Sequence, residues 1–172
     1  MKRLIIILIM LITISIFASD VYDYVYNVAK HYGVNHTRAD LIAKTVEEEY
    51  IKYPDVPYQI FTALIVSETG FKNIFGDNGL AIGYCQIHEA SVWYVIRFYP
   101  DLQEWYRKIG GFKELIKYPR MQIVLGYRYL HLILEYITNG NIINALNYWN
   151  NSDVYYLRVF DILLYIEAIR KE

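Results

Sequence analysis

The sequence predicts a mainly α-helical fold, and three observations carry that expectation. The 172-residue chain is 55% hydrophobic yet holds only nine Gly and four Pro, a balance that favours helices. Its apolar residues recur at helical spacing in segment after segment, which places them on one face of each helix. The one stretch of any length without that period runs from Phe71 to Gln86, where Gly76, Asp77-Asn78-Gly79 and Gly83 gather. That cluster of turn formers reads as a loop or small hairpin.

Met1 to Ala18 reads as an export signal. Lys2 and Arg3 form a charged start, and Leu4 to Phe17 is a 14-residue apolar run broken only by Thr13 and Ser15. A membrane span needs about 20 such residues, so the run fits a signal peptide, with an uncleaved N-terminal anchor as the rival. Residues 19–172 then form one domain, without repeat or linker. Thr37-Arg38-Ala39-Asp40 has capping-box-like spacing and opens a helix with Leu41, Ile42, Val46 and Tyr50 inside. Glu47, Glu48 and Glu49 are expected on its solvated face. Pro54 and Pro57 separate it from a second helix, Tyr58 to Thr69, which stops at Gly70.

After the Phe71–Gln86 stretch, helices resume at His88 to Tyr99, around Asp101 to Ile109, and around Phe112 to Lys117. A long helix is expected from about Arg120 to Thr138, with Ile123, Val124, Tyr127, Leu130, Leu134 and Ile137 on its apolar stripe. Asn139-Gly140-Asn141 ends it. Ile142 to Trp149 and Val154 to Arg170 complete the set.

Charge and cysteine content exclude some classes. The net charge is −1 and no basic stripe occurs, so nucleic acid is not an expected partner. The lone Cys85 makes no internal disulfide and reads as a packed small residue. The four histidines show no ligand spacing, so no metal and no cofactor are expected. Nineteen tyrosines fit an A/T-rich coding bias as readily as an aromatic groove wall for sugars.

One carboxylate departs from the pattern. Phe61, Leu64, Ile65 and Glu68 stand at i, i+3, i+4 and i+7 and share a helix face. Burying an ionised carboxylate is costly unless it is paired, and no Lys or Arg stands at helical spacing inside the helix. Glu68 also lies in the last turn, where the helix dipole disfavours its charge. Both effects raise its pKa, as a general acid near neutral pH requires. A surface or cross-fold paired glutamate remains the alternative.

The surroundings of Glu68 resemble a known family. Ala63-Leu64-Ile65-Val66-Ser67-Glu68-Thr69-Gly70-Phe71 is similar to the opening motif of lytic transglycosylases with the lysozyme-like fold. Eighteen positions after Glu68, Ala81-Ile82-Gly83-Tyr84-Cys85-Gln86-Ile87 resembles the family's Gly-Leu-Met-Gln-Ile block. Met121 to Leu130 is similar to its Asn-Ile-x-x-Gly-x-x-Tyr-Leu helix, and Ala145-Leu146-Asn147-Tyr148-Trp149-Asn150 to its Ala-Leu-x-x-Tyr-Asn block. The four blocks keep the family's order over Pro57 to Val159. There are departures: Thr69 replaces Ser, Leu80 replaces Gly, Tyr84 and Cys85 replace Leu and Met, and Asn151-Ser152 replaces Ala-Gly. Trp149 stands where the family has a Tyr that hydrogen-bonds near the catalytic glutamate. Indole donates but does not accept, and Tyr148 is the neighbouring candidate for that role.

The resemblance implies a lysozyme-like helical domain that cuts peptidoglycan glycan strands, with Glu68 as acid and then base. It implies no second catalytic carboxylate. Gln86 would hold the acetamido group or sugar hydroxyls, and Tyr84, Tyr148, Trp149 and Asn150 would line the substrate groove. Together with the export signal it places the chain outside the cytoplasm, in the periplasm, the cell envelope or the extracellular space, admits partners in envelope assembly, and leaves membrane contact only to an uncleaved N-terminal segment. Two other readings stay open. A lysozyme-type hydrolase would use Asp77 or Glu89 to activate water, although Asp77 suits a turn and Glu89 a helix N-terminus. A non-catalytic wall-binding protein would keep the groove without needing Glu68.

Overall fold

A computed structural model describes residues 20–170; the export or anchor segment lies outside the described residues. The fold is mainly helical, as expected, with one small sheet. Residues 20–31 form a further helix, α1, before the first expected one. Its signal is present in the sequence: Val21, Tyr24, Val25, Val28 and Ala29 follow a helical stripe, and all are buried. The Val34 N–H closes on the Ala29 carbonyl (3.0 Å) and the Gly33 N–H on Lys30 (3.0 Å), a C-terminal motif that needs the left-handed Gly33, φ 78°.

Helix α2 spans His36–Lys52, and its cap is Asn35 rather than Thr37. The Asn35 side chain accepts from the Arg38 N–H at 3.0 Å. Asp40 is instead taken up by the Tyr22 hydroxyl (2.9 Å) and Lys44 (3.0 Å). The expected solvated acidic face also needs correction at one position. Glu47 and Glu48 are partly or fully exposed, but Glu49 is buried. Arg128 reaches it with Nε at 2.7 Å and a terminal nitrogen at 3.2 Å, and Lys52 adds a third contact at 2.8 Å. The Arg128 guanidinium lies over the rings of Tyr99 and Tyr53, 4.7 and 5.6 Å from their centroids. A partner 79 positions away therefore makes an inward Glu49 tolerable.

Helix α3, Tyr58–Thr69, is buried from Ile60 to Ile65 and ends at left-handed Gly70, φ 57°. The following stretch makes three two-residue antiparallel strands: β1 (Phe75–Gly76), β2 (Ala81–Ile82) and β3 (Ile87–His88). They pair in the order β1-β2-β3. Buried Gln122 fixes the β2–β3 connection: its oxygen accepts from the Tyr84 N–H (3.3 Å), and its nitrogen donates to the Leu115 carbonyl (2.9 Å). Gly83 leaves room for it, since a Cβ there would come within 2.1 Å of the Gln122 oxygen.

Helices α4 (Glu89–Phe98) and α5 (Pro100–Ile109) and a 3₁₀ segment, Phe112–Lys117, lead to α6. The long helix expected from Arg120 to Thr138 stays α only over Pro119–Leu132. Ile133–Ile137 widens into a π turn, where both the amide and the hydroxyl of Thr138 reach the Ile133 carbonyl, at 2.9 and 3.2 Å. Helices α7 (Ile142–Asn150) and α8 (Tyr155–Ile169) follow.

Two apolar clusters meet along α6. Ile123, Tyr127, Leu130 and Leu134 face the cluster built on α1, α2, α3 and α8. Val124, Leu125 and Leu132 face the one built on the sheet, α4 and α5. Gly126 lets α6 approach Cys85 closely: a Cβ there would meet the Cys85 sulfur at 2.7 Å. Cys85 is fully buried, the packing role expected of it. Among the described residues no helix is long and apolar enough to cross a membrane.

Candidate active site

Glu68 sits in the last turn of α3, half-buried, above Phe61, Leu64 and Ile65, which are wholly buried. Two neighbours come from the far end of the chain. The Tyr155 hydroxyl, at the start of α8, donates to Glu68 Oε1, and the Trp149 indole on α7 lines the cleft beside it, where it favours the charged carboxylate. One turn beyond Tyr155, Arg158 donates to the Ser67 carbonyl at 2.6 Å. It thereby satisfies a C-terminal carbonyl of α3 and brings a positive charge beside Glu68.

These influences oppose one another. Burial is the largest and raises the Glu68 pKa; the bond from Tyr155, the Trp149 indole and the charges of Arg158 and His88 lower it. Burial prevails, so the acid form persists above the usual carboxylate range. Burial and the adjacent Glu68 charge raise Tyr155 too, which keeps its hydroxyl a donor.

The carboxylate opens into a cleft of about 490 Å³ lined by Glu68, Asp77, Ala81, Gln86, His88, Trp149, Asn150 and Asn151. The structure thus brings Gln86, Trp149 and Asn150 to Glu68, and it places two other expected groove residues elsewhere. Tyr84 is buried in the core, 1% exposed, because the bond from its N–H to Gln122 turns its segment inward. Tyr148 is half-exposed in a neighbouring hollow on another side of α7. The hydroxyl role considered for Tyr148 falls to Tyr155.

Gln86 holds a left-handed backbone, φ 47°. Its amide nitrogen donates to the carbonyls of Gly83 (2.9 Å) and Ile74 (3.2 Å), so only its oxygen is left to accept from a ligand. That amide lies against Gly76, where a Cβ would come within 1.7 Å of it. A larger residue at position 76 would therefore displace the Gln86 amide from this place.

Asp77 serves its turn through its backbone, as expected. The Leu80 N–H donates to the Asp77 carbonyl (3.0 Å) and closes it. The Asp77 carboxylate faces the cleft, 4.0 Å from His88 Nε2, and both side chains are more than half exposed. Glu89 stands in the first turn of α4 and does not line the cleft.

Tyr155, Arg158, His88 and Asn151 are site residues that sequence reasoning did not single out. Tyr155 lies 87 positions from Glu68 and outside the quoted motif blocks, so no local pattern marks it. His88 was legible as the residue two after Gln86, on the same strand edge. Among the described residues no group of three His, Cys, Asp or Glu side chains is placed to hold a metal ion.

The arrangement can protonate a leaving group from a half-buried acid and then hold the resulting carboxylate with the Tyr155 hydroxyl beside the Trp149 indole. No protein-family model, curated protein or solved structure matches the chain.

Proposed function

We propose that the chain is a peptidoglycan lytic transglycosylase of the cell envelope. The observation that carries this reading is Glu68: a half-buried acid of raised pKa, bonded by Tyr155 and flanked by Trp149, at the wall of a polar cleft. The order of family-like motifs around it supports the same substrate. Protonated Glu68 donates to the oxygen linking N-acetylmuramic acid to N-acetylglucosamine, and the C1–O bond breaks as the substrate's own N-acetyl carbonyl assists. The carboxylate left behind is stabilised by Tyr155 and Trp149. It then takes the proton of the sugar's 6-hydroxyl, whose oxygen attacks C1 and closes a 1,6-anhydro ring. An internal nucleophile carries a high effective molarity and needs no bound water. The Gln86 oxygen and the Asn150 amide are positioned to orient the sugar.

A muramidase is the second reading, favoured by the uncommitted Asp77 carboxylate in the same cleft. A hydrolase needs a second carboxylate to activate water or to serve as nucleophile. Product ends separate the two. Digests of purified peptidoglycan should contain anhydromuropeptides about 18 Da lighter than hydrolysed ones, the loss of one water. Asp77→Asn should retain most activity. Reducing ends alone, with an inactive Asp77→Asn, would make the chain a hydrolase.

A further inference from the structure

Beyond the Glu68 cleft, α7 presents a second hollow. Asn144, Asn147, Tyr148 and Asn151 stand at i, i+3, i+4 and i+7 and share one side of the helix end. With Thr138 and Asn139 from the preceding turn, they surround a cavity of about 670 Å³. That lies within the range of about 300–1,000 Å³ usual for small-ligand sites. Asn151 lines this hollow and the Glu68 cleft alike, so the two adjoin at one residue.

We infer that this hollow is a second sugar subsite, which holds a neutral pyranose unit of the same glycan strand away from the scissile bond. The inference rests on the glycan-cleaving reading of the Glu68 cleft. Its own support is the chemistry of the lining. Asn147 is committed to the fold: its nitrogen donates to the Asp153 carbonyl (2.9 Å), and its oxygen accepts from the Tyr156 N–H (3.2 Å). The side chains of Asn139 and Asn144 make no hydrogen bond among the described residues, and both are exposed. Side-chain amides offer donors and an acceptor together, which matches the vicinal hydroxyls and acetamido group of a sugar.

Tyr148 supplies the other half of sugar recognition. The residue is 50% exposed, so its ring can offer an apolar face to pyranose C–H groups while its hydroxyl stays available for a polar contact. The only charged side chain in the lining is Asp153. With no cation to meet them, phosphates, nucleic acids and acidic peptides are poor matches for this hollow.

The test uses the full chain carrying Glu68→Gln, so that ligand is bound without being cut. The probes are peptide-free peptidoglycan glycan fragments two and four disaccharides long, titrated calorimetrically. The longer fragment should bind about fivefold more tightly or better. Asn144→Ala/Tyr148→Ala, two exposed positions, should remove that length advantage and shift the shorter fragment's Kd by less than about twofold. Trp149→Ala, in the cleft, should weaken both fragments. A length advantage that survives the double substitution overturns the second subsite and leaves the cleft reading standing. Failure of both fragments to bind overturns the subsite and the cleft reading together.

Discussion

At Glu68, solvent exclusion and hydrogen bonding pull the proton in opposite directions, and their balance sets the pH behaviour. Burial raises the pKa, while Tyr155 and Trp149 favour the carboxylate. In the proposed mechanism the acid form does the first step, so the rate should fall as pH rises through this raised pKa. Tyr155→Phe removes an influence that lowers the pKa, so the alkaline limb of kcat/KM against pH should move to higher pH. The ionised form needed for the second step loses a donor, so kcat should fall by about tenfold or more. An unmoved limb would mean that Tyr155 does not act on Glu68.

Sequence marked Glu68 through its position on an apolar stripe, yet the same pattern describes Glu49, in line with Ile42 and Val46. The difference lies in their partners. Arg128 and Lys52 neutralise Glu49, whereas Glu68 receives a hydroxyl and an indole and faces an open cleft. Both sets of contacts join residues more than 75 positions apart through Arg128 or Tyr155, which is why spacing alone leaves the two acids indistinguishable. The motif order separated them by pointing to Glu68. It did not find Tyr155, because the hydroxyl comes from α8 rather than from the position that Trp149 occupies.

At the scale of elements, local signals served well wherever local physics decides. Gly70 ends α3 because a left-handed residue is needed there, and Pro54 and Pro57 break the chain between α2 and α3. The stripe of α1 is equally legible, in Val21, Tyr24, Val25 and Val28. Boundaries that depend on distant contacts were less legible, such as the change from α to π at Ile133 in a segment whose apolar period continues to Ile137. The Glu49–Arg128 pair, which ties α2 to α6, carries a stability prediction. Glu49→Ala would leave a nearly buried guanidinium without its main partner, although Asp101 stays 3.5 Å away. The loss should be about 3–5 kcal/mol in chemical denaturation, and a loss under about 1 kcal/mol would show that Asp101 and the two tyrosine rings suffice.

For the whole molecule, two apolar clusters share α6, and the cleft draws its walls from elements on both sides: α3 and α7 on one, the sheet on the other. A groove between two packed halves suits an extended polymer better than a small enclosed ligand. The proposed peptidoglycan substrate would lie outside the cytoplasm, which agrees with the charged-then-apolar start of the chain. Protein purified from its native host should begin near Ser19 or Asp20 when sequenced from the N-terminus. An intact Met1 recovered in membranes would identify the segment as an anchor.

Release of soluble muropeptides from purified peptidoglycan, by wild type and by Glu68→Gln at equal concentration, tests the central claim most directly. Removing an acid whose folded-state pKa is raised also removes a stability penalty that grows as pH rises from the unfolded pKa to the folded one. Glu68→Gln should therefore unfold at a Tm no lower than that of wild type at neutral pH. Wild type should release muropeptides, and Glu68→Gln should release them at least about a hundredfold more slowly, the contribution general acid catalysis commonly makes. Retention of more than about a tenth of the wild-type rate by a folded Glu68→Gln, or no release by wild type, would contradict the account.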